Sequence, residues 1–173
     1  MATRAPLSLK ARAIGLLAQR EHSRMELRRK LLRIEQQRQR LAVARAARNR
    51  AEAEPPSEDD DPDAGAAAID ALLDSLAADG YLDETRFVES RLHVRAGRFG
   101  TQRIQQELAR HGLKLDAEQQ TALRETELER AREVWHRRFG AEPSREATEQ
   151  ARQTRFLLAR GFAPDLVRRL LRA

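Results

Sequence analysis

Three segments of the chain share one pattern, in which an apolar helical stretch ends at a glycine and an aromatic or aliphatic residue follows. The segments are LAADGY, LARHGL and LLARGF, and their glycines are Gly80, Gly112 and Gly161. Glycine adopts the left-handed conformation that ends many helices without a Cβ penalty, and the next residue often packs back on the last turn. The expected pairs are Tyr81 with Leu76, Leu113 with Leu108, and Phe162 with Leu157.

The first segment continues directly into a predicted helix start. Asp83 is placed to cap the next helix, and Leu82 and Phe87 are spaced as a hydrophobic staple across that cap. We therefore interpret Gly80, Tyr81, Asp83 and Phe87 as a structural joint between two helices. Further starts follow the capping-box pattern, in Ser23 to Glu26, Asp116 to Gln119, and Thr126 to Glu129.

These stops and starts predict an all-α chain, which agrees with its Ala- and Leu-rich composition and its fourteen Gly and Pro residues. The nine predicted helices are 8–20, 23–50, 66–79, 84–97, 101–111, 117–125, 126–139, 145–160 and 164–172. Leu27, Leu108 and Leu158 take equivalent positions, spaced by about 50 residues once an insertion at 33–65 is removed. We therefore expect three tandem three-helix repeats in an elongated arrangement. The repeats are 8–80, which contains the insertion, 81–125 and 126–173.

The charge of the chain favours an anionic partner. The isoelectric point is about 10.8 and the net charge is +6. Residues 1–50 are net +11, residues 51–85 contain twelve acidic and no basic residues, and residues 86–173 are net +7. Thirty of the 33 basic residues are Arg, so biased genomic composition is an alternative explanation.

The insertion at 33–65 joins a basic helical arm to the acidic stretch EAEPPSEDDDPD. This stretch either masks the basic arm or is simply solvated, and the sequence leaves both open. The chain has no cysteine and no apolar run of about 20 residues, so we expect a cytoplasmic protein without a membrane association.

The sequence contains no recognisable catalytic site, and we expect no enzyme activity, cofactor or metal. The histidines at 22, 93, 111 and 136 lack metal-ligand spacing, and His22 and His111 are expected to be exposed at helix ends. The GRFG stretch at 97–100 is interpreted as a turn. The EDDDPD stretch at 58–63 lacks the glycine and the final glutamate of a calcium loop.

Basic residues recur on predicted helix faces, where guanidinium groups suit phosphates or an acidic groove on a protein partner. The candidate contact residues are Arg91, Arg95, Arg98, Arg103 and Arg110, followed by Arg28, Arg29 and Lys30. Solvated helix faces are the alternative explanation for the same pattern.

Four segments resemble the RecX family of bacterial regulatory proteins. They are SLKARAIGLLAQREHSRMELRRKL, LAADGYLDETRFVESRL, GRFGTQRIQQELARHGL and QTRFLLARGFAPDLVRRLL. The order matches the family from about Ser8 to Leu171. The chain departs from the family in its long charged insertion, and in Thr101 where proline is common.

The resemblance implies three three-helix repeats and a non-enzymatic regulator of the RecA recombinase, and we expect the protein to be a monomer. It implies binding to RecA and to its filament on single-stranded DNA, which limits filament growth, ATP hydrolysis and strand exchange. Direct contact with DNA is left open. One alternative is a basic α-helical nucleic-acid-binding protein that acts without RecA, and another is a helical scaffold.

Overall fold

The computed structural model describes residues 7–49, 62–140 and 146–172. Within these ranges the chain is entirely α-helical, as predicted, with nine helices and no strand. The helices are α1 Leu9–Leu17, α2 Arg24–Asn49, α3 Pro62–Ala78, α4 Glu84–Ala96, α5 Thr101–Ala109, α6 Ala117–Glu125, α7 Glu127–Phe139, α8 Ala147–Ala159 and α9 Pro164–Arg172. Most of the acidic stretch of the insertion lies outside the described residues. None of the described helices combines the length and apolarity that crossing a bilayer would require.

The first of two compact units spans Met1–Glu84 and contains α1 to α3. Its apolar interior, which we call the first core, consists of buried Ala13, Leu27, Leu31, Ile69, Leu73, Leu76 and Leu82. Two ion pairs join α2 to α3, from Arg28 to Asp70 at 2.6 Å and from Arg24 to Asp74 at 2.7 Å. Farther along α2, Leu41 and Val43 are exposed, so this half of the helix contributes no described residue to the core.

The α3 helix ends as the glycine pattern predicts, but a different residue packs back on it. Gly80 has a φ of +74°, and the amides of Tyr81 and Leu82 both donate to the Leu76 carbonyl, at 2.9 and 3.1 Å. Tyr81 is 50% exposed, whereas Leu82 is buried in the first core. The prediction for Tyr81 was therefore wrong by one residue. Leucine can be buried in an aliphatic core without leaving a polar group unpaired, whereas the hydroxyl of a buried tyrosine needs a hydrogen-bond partner.

The second compact unit spans Thr85–Ala173 and contains two apolar cores. The second core consists of buried Phe87, Val88, Ile104, Leu108, Leu115 and Leu123. The third core consists of buried Ala131, Val134, Trp135, Leu157, Phe162, Val167, Leu170 and Leu171. The Trp135 indole donates to the Gln153 side-chain oxygen at 3.0 Å, which satisfies two buried polar groups.

The glycines of the second unit confirm the other two helix ends. Gly112 and Gly161 have φ values of +73° and +81°, and the residue after each glycine lies in or against the adjoining core. The predicted equivalence of Leu158 with Leu108 was wrong, because Leu158 is 40% exposed and Leu157 is fully buried. The Leu113 amide donates a hydrogen bond to the Leu108 carbonyl, and the Phe162 amide donates one to the Leu157 carbonyl. Leu157 is therefore the structural counterpart of Leu108.

The helix starts and the buried histidine give mixed outcomes. The Asp116–Gln119 capping box is complete, and the Glu26 amide donates to the Ser23 hydroxyl at 3.1 Å. Thr126 does not cap α7, because it alone separates α6 from α7 and keeps a helical backbone, with its hydroxyl donating to the Ala122 carbonyl. His22 was expected to be exposed but is 1% exposed, with Nδ1 3.3 Å from a Glu26 oxygen.

Candidate functional site

The turn between α4 and α5 is held by arginine side chains from α7 and from the end of α8. Four consecutive carbonyls of this turn accept guanidinium N–H groups. Arg130 donates to Ala96 and Phe99 at 2.9 and 2.8 Å, Arg137 to Gly97 at 2.8 Å, and Arg160 to Arg98 at 3.1 Å. A helix C-terminus carries unpaired carbonyls and partial negative charge, so cations stabilise it. The GRFG turn is therefore a point where the helices around the second core are joined to those around the third core.

Two glycines allow the backbones to approach closely at this junction. The Gly100 amide donates to the Arg160 carbonyl at 2.9 Å. A Cβ on Gly100 would lie 2.2 Å from the Gly161 carbonyl oxygen, and a Cβ on Gly161 would lie 2.5 Å from the Cβ of Arg103. The neighbouring Thr101 amide donates to the buried Glu127 carboxylate at 3.0 Å. The start of α5 is thus fixed against both α7 and the α8–α9 turn.

Five arginines converge around this junction, and we call them the arginine cluster: Arg98, Arg103, Arg137, Arg138 and Arg160. Phe99 lies under three of them, with guanidinium carbons 4.8 to 5.9 Å from the ring centroid for Arg98, Arg103 and Arg160. Arg160 also lies 4.5 Å from the Phe156 ring centroid. An open cavity of about 230 Å³ is lined by Gly97, Arg98, Val134, Arg137, Arg138, Phe156 and Arg160. The cluster therefore surrounds a concave, strongly cationic surface.

The positive charge of the cluster has little local compensation. Among the described residues, only Glu133 forms an ion pair with a cluster member, 3.9 Å from Arg137 at a largely exposed site. The pKa of Arg160 is lowered, first by burial and then by the charges of Arg98, Arg103, Arg137 and Arg138. Mutual repulsion at this point means that a bound anion would be stabilised by several charges at once.

The other predicted contact residues of the second unit have different surroundings. Arg91 and Arg95 lie on α4 and share Glu107 of α5, at 3.5 and 3.1 Å. Arg98 lies beyond the end of α4, in the turn, so the predicted stripe of three is not on one helix. Arg110 is exposed at the end of α5. Glu107 partly neutralises the α4 face, whereas Arg98 and Arg103 belong to the arginine cluster.

The predicted contact residues of the first unit lie on α2. Arg28 is held by both carboxylate oxygens of Asp70, at 2.6 and 2.9 Å, and Lys30 lies 3.5 Å from Glu26. Arg29 is exposed and contributes to a shallow open cavity together with Arg28 and Arg33. Two of these three cations are thus ion-paired within the unit.

Sequence reasoning missed Arg137, Arg138, Arg160 and Phe99. Periodicity within single helices selects residues on one face, but the cluster is assembled from the α4–α5 turn, α5, α7 and the end of α8. The available signal was the position of arginines beside glycines at helix ends, in GRFG and ARGF. In the described part of the chain, no group of three His, Cys, Asp or Glu residues is arranged to hold a metal ion.

Comparisons with known proteins place this architecture in a family. Residues 125–171, which include α7, α8 and all but the last residue of α9, match the model of the RecX third three-helix domain. The chain is 47% identical over 175 residues to regulatory protein RecX of Leptothrix cholodnii, with 99% of this chain and 93% of the relative covered. It is 42% identical to regulatory protein RecX of Ralstonia pickettii, covering 97% and 89% respectively, and 38% identical to that of Pseudomonas putida, covering 96% and 90%. The chain belongs to the RecX family of regulatory proteins.

Proposed function

We propose that the protein is a non-enzymatic regulator that binds the RecA recombinase and its filament on single-stranded DNA. By occupying the filament it would limit filament growth, ATP hydrolysis and strand exchange in recombination and DNA repair. The observation that carries this proposal is the sequence identity of 42 to 47% to regulatory proteins of the RecX family, over 97 to 99% of this chain. The proposed function needs binding surfaces and no reacting group.

The cationic surfaces support this role. The arginine cluster holds several guanidinium groups in place through main-chain carbonyls and aromatic rings, so little side-chain entropy is lost on binding. A regulator that works by occupancy benefits from such rigid contact residues. We extend the proposal to a division of the chain into three three-helix repeats, each with its own core, which would contact the filament at more than one point.

The direct test is titration of the protein into RecA on single-stranded DNA, with ATP hydrolysis as the readout. We expect inhibition at protein concentrations well below that of the DNA nucleotides, because a filament modulator acts through RecA rather than by coating DNA. The absence of inhibition at a one-to-one ratio with RecA would contradict the proposal.

A paired variant tests the α4 face. Reversal of Arg91 and Arg95 to Glu would bring two new carboxylates beside that of Glu107, and their repulsion could disturb the fold. Arg91→Gln with Arg95→Gln removes the positive charge without adding this repulsion. We expect weaker ATPase inhibition with unchanged helicity by circular dichroism. Arg124→Gln with Arg132→Gln removes the same charge from exposed positions and should inhibit as well as the wild type. Full inhibition by the first variant would mean that the α4 face is only solvated.

The alternative function is nucleic-acid binding without RecA, which the arginine cluster by itself would also support. In that case binding to DNA alone should account for any effect on RecA, and the logarithm of affinity should fall linearly with the logarithm of salt concentration. This alternative would be favoured if the protein concentration needed for full inhibition rises with the DNA concentration and not with the RecA concentration.

A further inference from the structure

The arginine cluster has features of an anion-binding surface beyond a general positive charge. We propose that it binds consecutive phosphate groups of a single-stranded nucleic-acid backbone, without reading the bases. The inference deepens the proposed function, on which it rests for the choice of single-stranded DNA. All the proposed DNA contacts lie in the second compact unit. They include Arg98 and Arg138, whose guanidinium groups make no described hydrogen bond or ion pair within the protein.

Three guanidinium groups of the cluster are held in place before any ligand binds. Arg137 and Arg160 donate to the Gly97 and Arg98 carbonyls, and Arg103 donates to the Ala159 carbonyl at 2.9 Å. A guanidinium group carries five N–H donors, so each anchored side chain keeps donors for an incoming ligand. Anchored guanidinium groups offer fork-shaped pairs of donors that match phosphate oxygens.

The cluster concentrates positive charge with little local compensation. The pKa of Arg160 is lowered by burial and by four neighbouring arginines, and Glu133 is the one carboxylate paired with the cluster among the described residues. The folded protein therefore keeps like charges close together, and two of them, Arg98 and Arg138, hold no described main-chain carbonyl with their side chains. A chain of phosphates supplies one negative charge for each contact and relieves this repulsion.

The lining of the cavity suits a nucleic acid better than a protein partner. Protein interfaces are organised around desolvated apolar or aromatic anchors, with charges at the rim. None of the strongly exposed large apolar residues in the described part of the chain lines the cavity. Arg98, Arg103 and Arg160 lie 4.8 to 5.9 Å from the Phe99 ring centroid. Phe156, which lines the cavity, contacts the Phe139 ring at 5.1 Å and has the Arg160 guanidinium 4.5 Å from its centroid. Both rings thus already contact guanidinium groups, so the surface fits phosphates better than stacked bases.

The shape of the cluster favours a single strand over a duplex. The cluster is local and concave, and its cavity of about 230 Å³ lies between α7, the α4–α5 turn and the end of α8. A single strand can bend several phosphates into a concave surface, whereas a duplex is stiff over about 150 base pairs. A duplex would therefore meet fewer of the five guanidinium groups at once.

The experiment compares two variants that remove equal charge. Arg98→Gln with Arg138→Gln takes away two cluster members that hold no described main-chain group, and Arg124→Gln with Arg132→Gln is the matched control. Binding to a labelled oligothymidylate of about 30 nucleotides is followed by fluorescence anisotropy across a salt series. We expect the cluster variant to lose about tenfold in affinity at low salt and to have a salt slope shallower by about 1.4, since each single-strand phosphate contact contributes about 0.7. The control should lose less than threefold, with a slope closer to that of the wild type.

Several results would overturn the inference. These are equal losses in the two variants, no binding by the wild type, tighter binding of a duplex of the same length, or displacement of the oligonucleotide by polyglutamate or ATP at equal charge concentration. The RecA-dependent ATPase assay is run in parallel on the same proteins. Inhibition of RecA without DNA binding would reject the phosphate site and keep the proposed function, whereas DNA binding without inhibition would do the reverse.

Discussion

Gly100 and Gly161 determine how closely the start of α5 approaches the α8–α9 turn. The two backbones meet where a Cβ on either glycine would contact main-chain atoms, and only Gly161 also has a positive φ. Main-chain atoms cannot move aside as a flexible side chain can. These two positions therefore require glycine for reasons of space, in addition to the helix-ending role of Gly161.

We expect Gly100→Ala to lower the free energy of unfolding by about 2 to 3 kcal/mol, the upper part of the range seen when atoms are forced into a packed site. The new Cβ would lie 2.2 Å from a carbonyl oxygen and would separate α5 from the α8–α9 turn. Urea denaturation followed by circular dichroism measures the change. Gly97→Ala is the control, because a Cβ there has no neighbour within 4 Å, and it should change stability by less than about 0.5 kcal/mol. Equal stability of both variants would contradict the close approach.

Glu26 is a second position where one residue organises several others. This buried carboxylate contacts Arg20, the Nδ1 of His22 at 3.3 Å and Lys30 at 3.5 Å. Burial raises the pKa of Glu26, but the Arg20 hydrogen bond and the charges of His22, Arg20 and Lys30 outweigh it and lower the pKa to about 2. The pKa of His22 is lowered as well, first by burial and then by Arg20.

The pH dependence follows from the direction of these shifts. The pKa of Glu26 is lower in the folded protein than its usual 4.5, so its stabilisation is present above about pH 4.5 and is lost as pH falls toward 2. We expect Glu26→Gln to cost up to about 3 kcal/mol at neutral pH, and the difference from the wild type to close in acid. His22 disfavours the folded state further once pH falls below its usual 6.5, in both proteins. Urea unfolding at a series of pH values measures this, and a difference that is independent of pH would contradict it.

At the scale of single residues, local rules were reliable where the chain itself supplies both partners. The Asp116 capping box and the glycine helix ends involve residues a few positions apart, and the structure has them as predicted. Tyr81 and Thr126 were wrong because the outcome depends on surroundings that the local pattern does not contain. Tyr81 stays exposed because the aliphatic core accepts Leu82 better than a phenol. Thr126 does not cap α7 because α6 continues almost directly into α7.

At the scale of secondary-structure elements, the C-terminus of α4 depends on Arg130 of α7. This partly buried side chain donates to the carbonyls of Ala96, Phe99 and Leu123 at 2.8 to 2.9 Å, and its Nε donates to the Thr126 hydroxyl at 3.3 Å. Two carbonyls at helix ends and one in the α4–α5 turn thus share one guanidinium group. The element boundaries are visible in the sequence, but this long-range support is not, because Arg130 lies 34 residues from Ala96.

We expect Arg130→Met to destabilise the second unit by about 2 to 4 kcal/mol, because it leaves three partly buried carbonyls without a donor while it keeps the apolar stem. Arg130→Lys should recover only part of this loss, since one ammonium group cannot reach all three carbonyls in the same geometry. Thermal unfolding and amide hydrogen exchange around residues 96–101 are the measurements. Arg132→Met, an exposed change on the same helix, should have little effect. Unaltered protection of the turn in Arg130→Met would show that its carbonyls need no such donor.

The arginine cluster shows which part of a site is beyond single-helix periodicity. Arg98 and Arg103 were selected from spacing along the chain, but their surroundings differ from those of Arg91 and Arg95, which Glu107 pairs. Arg160 reaches Arg98 over 62 positions of sequence. Glycines and main-chain carbonyls bring these side chains together, and neither carries a charge, so the spacing of charges along one helix does not reveal the cluster.

At the scale of the whole molecule, charge is distributed in blocks. The basic regions of residues 1–50 and 86–173 are separated by a region with twelve acidic residues and no basic residue. Six of these, Glu52, Glu54, Glu58, Asp59, Asp60 and Asp61, precede α3 and lie outside the described residues. The net charge of +6 therefore understates the field that a polyanion meets near the basic regions.

Replacing these six acids by Gln and Asn raises the formal net charge from +6 to +12 without touching α3. We expect the variant to bind single-stranded DNA several-fold more tightly at low salt, chiefly through faster association, because long-range attraction steers encounter. The gain should disappear near 0.15 M salt, where charges are screened beyond about 8 Å. Stopped-flow association across a salt series measures both effects. A variant that exchanges Asp and Glu at the same positions keeps the charge and should behave as the wild type. Unchanged affinity at low salt would show that the acidic stretch is only solvated, and a gain that persists at high salt would instead indicate a direct contact that the substitution releases.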